Sequence, residues 1–103
     1  MTLISDIPIT EKERVYEFAL YCLRHLYPLQ GKQPRMQAWR CDDEPLIWCS
    51  VFSLNQSLTR TLDVRDLRGK TAREIMAFCR TVGEGMQQEF RERFPIAEDN
   101  AAP

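Results

Sequence analysis

Hydrophobic and polar residues recur with two different periods along this chain. Over residues 10–27 and 71–94, apolar side chains return every three to four positions, which is the spacing of one face of an α-helix. Between these segments, residues 35–41 and 46–54 are rich in aromatic and β-branched side chains, and a weaker run surrounds 58–64. The predicted order is therefore α-β-β-β-α, a small α+β fold in which an antiparallel sheet of two or three strands is flanked by two helices.

Polar residues mark the start of each predicted helix. Thr10 is followed by Glu13 at the third position, and Thr71 is followed by Glu74 at the same spacing. This is the pattern of a capping box, in which each of the two side chains accepts a hydrogen bond from the backbone amide of the other residue. We therefore expect a capping box at the amino terminus of both helices.

Proline residues mark the ends of the helices, because a proline cannot continue the helical hydrogen bonding. Pro28 ends the first helix at the preceding residue, and Pro95 ends the second in the same way. The predicted organisation is an extended lead-in over residues 1–9, a single α+β domain over 10–95 and a disordered tail over 96–103.

Each helix has an apolar side, and the first helix has two such stripes next to each other. Its core stripe is predicted to contain Val15, Phe18, Ala19, Cys22 and Leu26. The neighbouring stripe contains Tyr16, Leu20, Leu23 and Tyr27. The buried stripe of the second helix is predicted to contain Ile75, Cys79, Val82, Met86 and Phe90. The first helix is thus apolar over more than half of its circumference.

The turn between the first two strands predicts their register. If Asp43-Glu44 is the centre of the turn, Cys41 lies opposite Leu46 and Trp39 lies opposite Trp48. Because successive side chains of a strand point to opposite faces, this register sorts the residues into two sets. One face would carry Met36, Ala38, Ile47, Cys49 and Val51. The other would carry Trp39, Cys41, Leu46, Trp48 and Phe52.

Both predicted faces of the sheet are apolar, and two helices do not easily cover both faces and the second stripe of the first helix. Either one helix lies on each face, or part of this surface contacts another chain, because large exposed apolar patches mark interfaces. The partner is then a second copy of the chain, in a homodimer, or a different protein. A third interpretation is that the aromatic residues simply form the core. The candidate partner-binding residues are Trp39, Trp48 and Phe52 on the sheet and Tyr16, Leu20 and Tyr27 on the first helix.

Composition and charge narrow the function classes. The 103 residues include 14 lysines and arginines and 15 aspartates and glutamates, so the net charge gives no general attraction to nucleic acid or to an anionic membrane. The four cysteines are scattered and the first residues do not resemble a secretory signal. No apolar run is long enough to span a membrane. The sequence therefore predicts a cytoplasmic protein with reduced thiols.

A line of basic residues on the second helix gives an alternative function, which is nucleic-acid binding. Such a line could follow a phosphate backbone. Glu84 lies within the line, however, which favours an exposed helix face with ion pairs between neighbouring turns. The candidate nucleic-acid-binding residues are Arg68, Lys70, Arg73, Arg80 and Arg91.

The element order is similar to that of the double-stranded-RNA-binding domain. The segment Arg68-Gly69-Lys70-Thr71-Ala72-Arg73 loosely resembles the basic run that opens the second helix of that family. The resemblance implies RNA binding through this segment. The resemblance covers only the topology and these six residues. The loop between the first two strands departs from the family, because it is Asp42-Asp43-Glu44-Pro45, whose carboxylates would repel phosphate.

Motifs for catalysis or metal binding are weak in this sequence. Cys22 and His25 are candidates for a nucleophile and its base, but Cys22 is predicted to face the core. The carboxylates of Asp42-Asp43-Glu44 are explained by turn preference rather than by a cation site. We therefore expect a non-enzymatic protein-binding module, such as an adaptor, inhibitor or regulatory subunit, without cofactor or metal.

Overall fold

The computed structural model of the chain describes residues 6–26, 35–41, 43–53 and 55–94. It contains two helices and a three-stranded antiparallel sheet in the order α-β-β-β-α, which confirms the predicted fold class. The elements are α1 (Lys12–Tyr21), a π-helical segment (Cys22–Leu26), β1 (Arg35–Arg40), β2 (Leu46–Ser53), β3 (Gln56–Asp63), a 3-10 turn (Val64–Asp66) and α2 (Ala72–Arg93). Neither of the described helices has the length and apolar character needed to cross a bilayer.

The sheet is a meander with β2 at its centre, and the predicted register is confirmed. Trp39 lies opposite Trp48, and the amide of Cys41 donates a hydrogen bond of 3.1 Å to the carbonyl of Leu46. The third strand, predicted as the weakest, is present and begins at Gln56. The turn therefore sets the pairing of β1 with β2.

Both helices lie on the same face of the sheet. The buried sheet residues are Ala38, Ile47, Cys49, Val51, Leu58 and Leu62. They form one hydrophobic core with the buried residues of the helices, and α1 and α2 also contact each other. The alternative in which one helix covers each face is therefore wrong for this chain.

The second apolar stripe of α1 belongs largely to the core. Tyr16 is only 1% exposed, and its hydroxyl donates a hydrogen bond of 2.9 Å to the carbonyl of Glu44 in the turn between β1 and β2. The Arg40 guanidinium lies 4.0 Å from the centre of the Tyr16 ring and binds both carboxylate oxygens of Glu13 at 2.6 and 2.7 Å. This hydrogen bonding lowers the pKa of Glu13. The cluster joins α1 to β1, so Tyr16 stabilises the fold and is not available to a partner.

Only one of the two predicted capping boxes forms. Thr71 accepts a hydrogen bond from the amide of Glu74, and the Glu74 carboxylate accepts one from the amide of Thr71. The predicted box at Thr10 is wrong, because α1 begins at Lys12 with Glu11 as its N-cap, whose side chain makes no capping hydrogen bond.

The capping box at Thr10 does not form because the chain before α1 is hydrogen-bonded to the loop before α2. The amide of Ile9 donates to the carbonyl of Lys70 at 2.9 Å, and the amide of Gly69 donates to the carbonyl of Ile9 at 2.7 Å. Gly69 has a φ of +87°, a conformation that glycine adopts without strain. Arg68 also donates to the carbonyl of Thr10. These contacts hold the chain extended beyond the position where the capping box was expected.

Candidate functional site

The sheet face opposite the helices carries an exposed pair of tryptophans. Trp39 is 41% exposed and Trp48 is 37% exposed, and they face each other across β1 and β2. We call this surface the open face. Its central residues, row by row across the sheet, are Trp39, Trp48 and Thr61; Gln37, Ser50 and Thr59; and Arg35, Phe52 and Ser57.

The open face combines an aromatic row, which contains Trp39 and Trp48, with a neighbouring polar row of Gln37, Ser50 and Thr59. The hydroxyl of Thr59 donates to that of Ser50 at 3.3 Å. At one end of β3, Arg65 binds both carboxylate oxygens of Asp63, and these hydrogen bonds lower the pKa of Asp63. Aromatic residues are enriched at protein–protein interfaces, where polar groups accompany them.

The structure brings together three of the six predicted partner-binding residues. Trp39, Trp48 and Phe52 share the open face, where Phe52 is half-buried. Tyr16 lies in the core and Leu20 packs half-buried against it, on the opposite side of the sheet. Tyr27 lies outside the described residues. The candidate surface is therefore the sheet rather than the first helix.

The basic line on α2 is exposed, and acidic residues accompany it. Arg73 lies 3.4 Å from a carboxylate oxygen of Asp6, and Arg80 lies 3.0 Å from one of Glu84. Arg68 and Lys70, just before α2, and Arg91, near its end, are also exposed. Because carboxylates stand among these cations, the line does not form a uniformly positive surface.

Three of the four cysteines are buried in the core, and all four are free thiols. Burial raises the pKa of Cys49 to about 12. A hydrogen bond with Cys22, followed by burial, raises the pKa of Cys79. The Cys79 thiol also lies 3.9 Å from the carbonyl of Ala19. Only Cys41 is half-exposed, so the buried thiols behave as small apolar side chains.

The candidate nucleophile and base do not form a site. Cys22 is buried, whereas His25 is exposed and its ring packs against Tyr21, with the ring centres 5.2 Å apart. Over the part of the chain that the structure describes, no group of three or more histidine, cysteine, aspartate or glutamate residues could hold a metal ion.

A groove between β3 and α2 was not predicted. It has a volume of about 410 Å³ and is referred to here as the β3–α2 groove. Its lining includes Leu62 and Asp63 from β3 and Phe78, Val82, Gly85 and Glu89 from α2. The sequence offered two signals, an apolar Phe78 next to the buried Cys79 and a glycine within the helix, but neither indicates a groove until β3 is placed beside α2.

Comparisons of the chain with protein-family models, with curated proteins and with solved structures found no match.

Proposed function

We propose that this chain is a non-enzymatic protein-binding module that acts in the cytoplasm as an adaptor, inhibitor or regulatory subunit. The observation that supports this proposal is the pair formed by Trp39 and Trp48, which remains exposed on the open face while both helices pack on the other side. Tryptophan is enriched among the residues that dominate binding energy at interfaces. Free thiols at all four cysteines agree with a reducing compartment.

The size of the open face limits the strength of association. Three strands about 4.8 Å apart, each up to about 26 Å long, give a flat area of roughly 370 Å². A stable interface buries about 800 Å² on each partner. Docking through the open face alone should therefore be weak and concentration-dependent, either between two copies in a homodimer or with a different protein.

The first experiment is light scattering of the chain over a dilution series that reaches high concentration. We expect a dimer that dissociates on dilution in the wild type and a monomer in Trp48→Thr. The control is Tyr21→Gln, which removes an exposed aromatic ring from α1 and should leave association unchanged. Far-UV circular dichroism checks that each variant is folded. Equal association of wild type and Trp48→Thr would exclude the open face as the dimer contact.

If the wild type is a monomer at every concentration, the partner is a different protein. A photo-crosslinking amino acid at position 48, with the same residue at position 21 as the control, then tests the proposal in a cell extract. A protein crosslinked from position 48 but not from position 21 would support it. The same products from both positions, or none from either, would contradict it.

The alternative, nucleic-acid binding by the basic line on α2, has less support because Arg73 and Arg80 lie next to carboxylates. It predicts an affinity for oligonucleotides that falls steeply with salt concentration. Fluorescence anisotropy with a labelled duplex at low and physiological salt tests it, and the absence of binding at low salt would exclude it.

A further inference from the structure

A second surface begins at the outer edge of β3, which pairs with no further strand among the described residues and is called the free edge below. The amide of Val64 donates to the carbonyl of Pro45 at 2.8 Å, which fixes the ladder between β2 and β3. Because alternate residues of an antiparallel strand direct their backbone groups to opposite sides, Thr59 and Thr61 direct theirs away from β2. In agreement, the carbonyl of Thr59 accepts a hydrogen bond from the side chain of Arg60 rather than from a strand. The edge therefore presents backbone groups that another strand could pair with.

The opposite edge of the sheet, β1, is protected. The guanidinium of Arg24 donates to the carbonyl of Ala38 at 2.6 Å, and the π-helical segment that carries Arg24 contacts β1. A segment that packs against an edge strand opposes the addition of another strand there. At β3, by contrast, the hydrogen bond to the Thr59 carbonyl comes from the neighbouring residue Arg60, an exposed local contact that a backbone donor can replace. Strand addition to this sheet is therefore expected at β3.

The widths of the two layers leave room beside β3. Two helices side by side are about 20 Å wide, whereas three strands are about 14 Å wide. α2 contacts both β2 and β3, and the β3–α2 groove lies along this side of the molecule. The difference of roughly 6 Å is about the width of one additional strand. We propose that the β3–α2 groove binds an extended segment of another protein, which joins the sheet as a fourth strand beside β3.

The wall that α2 contributes to the groove is mostly apolar, and it is open at Gly85. Phe78 is 38% exposed there, and Val82 and Met86 also line the groove. Gly85 faces open space, since a Cβ atom at this position would have no other atom within 4 Å. A glycine weakens a helix interior, and packing within the described residues does not require one here. It does keep the groove clear for alternate side chains of a bound strand.

The charges at the rim of the groove are nearly balanced. The groove is lined by the carboxylates of Asp63, Asp66 and Glu89 and by one cation, Arg60. Arg60 and Arg93 bind Glu89 at 2.6 and 3.1 Å, and Arg65 binds Asp63. The backbone groups at the edge of β3 and the apolar side chains of α2 therefore define the occupant, which is an extended segment with apolar residues at alternate positions.

The probe for this proposal is a random-peptide phage library selected on the immobilised full chain. Peptides that are enriched are then synthesised with a fluorescent label, and their affinities are measured by anisotropy. We expect Gly85→Leu to weaken binding by roughly tenfold or more, because leucine fills the groove. The matched control is Gln88→Leu, which places the same side chain on the exposed surface of α2 outside the groove lining. Leucine favours the helix more than glycine does, so loss of binding in Gly85→Leu is not explained by unfolding.

Amide hydrogen exchange tests the strand pairing directly, since a bound fourth strand should slow the exchange of the Thr61 amide. Failure to enrich any peptide, equal binding by Gly85→Leu, or an unchanged Thr61 amide would each overturn the proposal. Peptides that lose affinity in Trp48→Thr but not in Gly85→Leu would bind the open face instead. That last result would contradict the groove and leave the proposed function of the open face standing.

Discussion

Replacing Tyr16 by alanine or by phenylalanine separates what its ring and its hydroxyl each contribute to the free energy of unfolding. The ring is fully buried beside Arg40, so Tyr16→Ala removes an aromatic side chain from the core and leaves a cavity. Such changes cost about 3–5 kcal/mol. Tyr16→Phe keeps the ring and removes only the hydrogen bond to the Glu44 carbonyl. Because Glu44 is exposed, water can replace the lost donor, and the expected cost is about 1 kcal/mol or less.

Urea unfolding followed by far-UV circular dichroism measures both costs. A domain of this size is stabilised by only about 5–15 kcal/mol in total, so Tyr16→Ala should lose a large part of its stability. Tyr16→Phe should lower the Tm by about 4–8 °C at most. The control is Tyr21→Ala, which truncates an exposed tyrosine of the same helix and should change the free energy of unfolding by about 0.5 kcal/mol or less.

The comparison of the two tyrosines decides whether α1 packs as described. If Tyr16→Ala costs no more than Tyr21→Ala, the Tyr16 ring does not lie in the core. The contact that joins α1 to β1 through Arg40 would then be absent as well, and Tyr16 would again be a candidate for a partner surface.

Three further predictions follow from local contacts. Thr71→Ala should lower the free energy of unfolding by about 1 kcal/mol because it removes the cap of α2, whereas Thr10→Ala should be neutral; equal losses in urea unfolding would contradict this. The pKa of Cys49, raised to about 12 from 9.0, implies stability that is complete below about pH 9 and is lost as the pH rises towards 12. In Cys49→Val the free energy of unfolding should fall less steeply with rising pH, by up to about 1.4 kcal/mol per pH unit, in urea titrations at alkaline pH. An unchanged slope would refute this prediction. In the native protein Cys41 alone should react with a thiol reagent, and reaction of a second thiol before unfolding would show that the core is more open.

The pairing of β1 with β2 could be predicted because it depends on a short turn. Two residues at the turn centre place Cys41 opposite Leu46, and every later pair, including Trp39 and Trp48, follows by counting. The choice of buried face could not be predicted from β1 and β2, since both of their faces are apolar. β3 contained the missing signal: Leu58 and Leu62 alternate with polar residues and lie opposite Val51 and Ile47.

The start of α1 could not be predicted, because it depends on contacts between residues distant in sequence. The local pattern at Thr10 is the same as at Thr71, yet only the second forms a cap. Hydrogen bonds between Ile9 and the loop at Lys70 decide the outcome at the first position. The exposed tryptophans were correctly placed together, but the β3–α2 groove required knowledge of where α2 lies relative to the sheet.

The open face and the β3–α2 groove are separate surfaces that share Thr61. Its side chain lies on the open face in the row of Trp39 and Trp48, while its backbone lies at the free edge. A fourth strand beside β3 would widen the open face from about 14 Å to about 19 Å and add its own outward side chains to that row. The contact area available to a docking partner would then grow by about one third. Association through the open face should therefore strengthen when the groove is occupied and, because linkage is reciprocal, a docked partner should strengthen peptide binding by the same factor. A dilution series in the presence of an enriched peptide measures this factor, and a value of one would show that the two surfaces act independently.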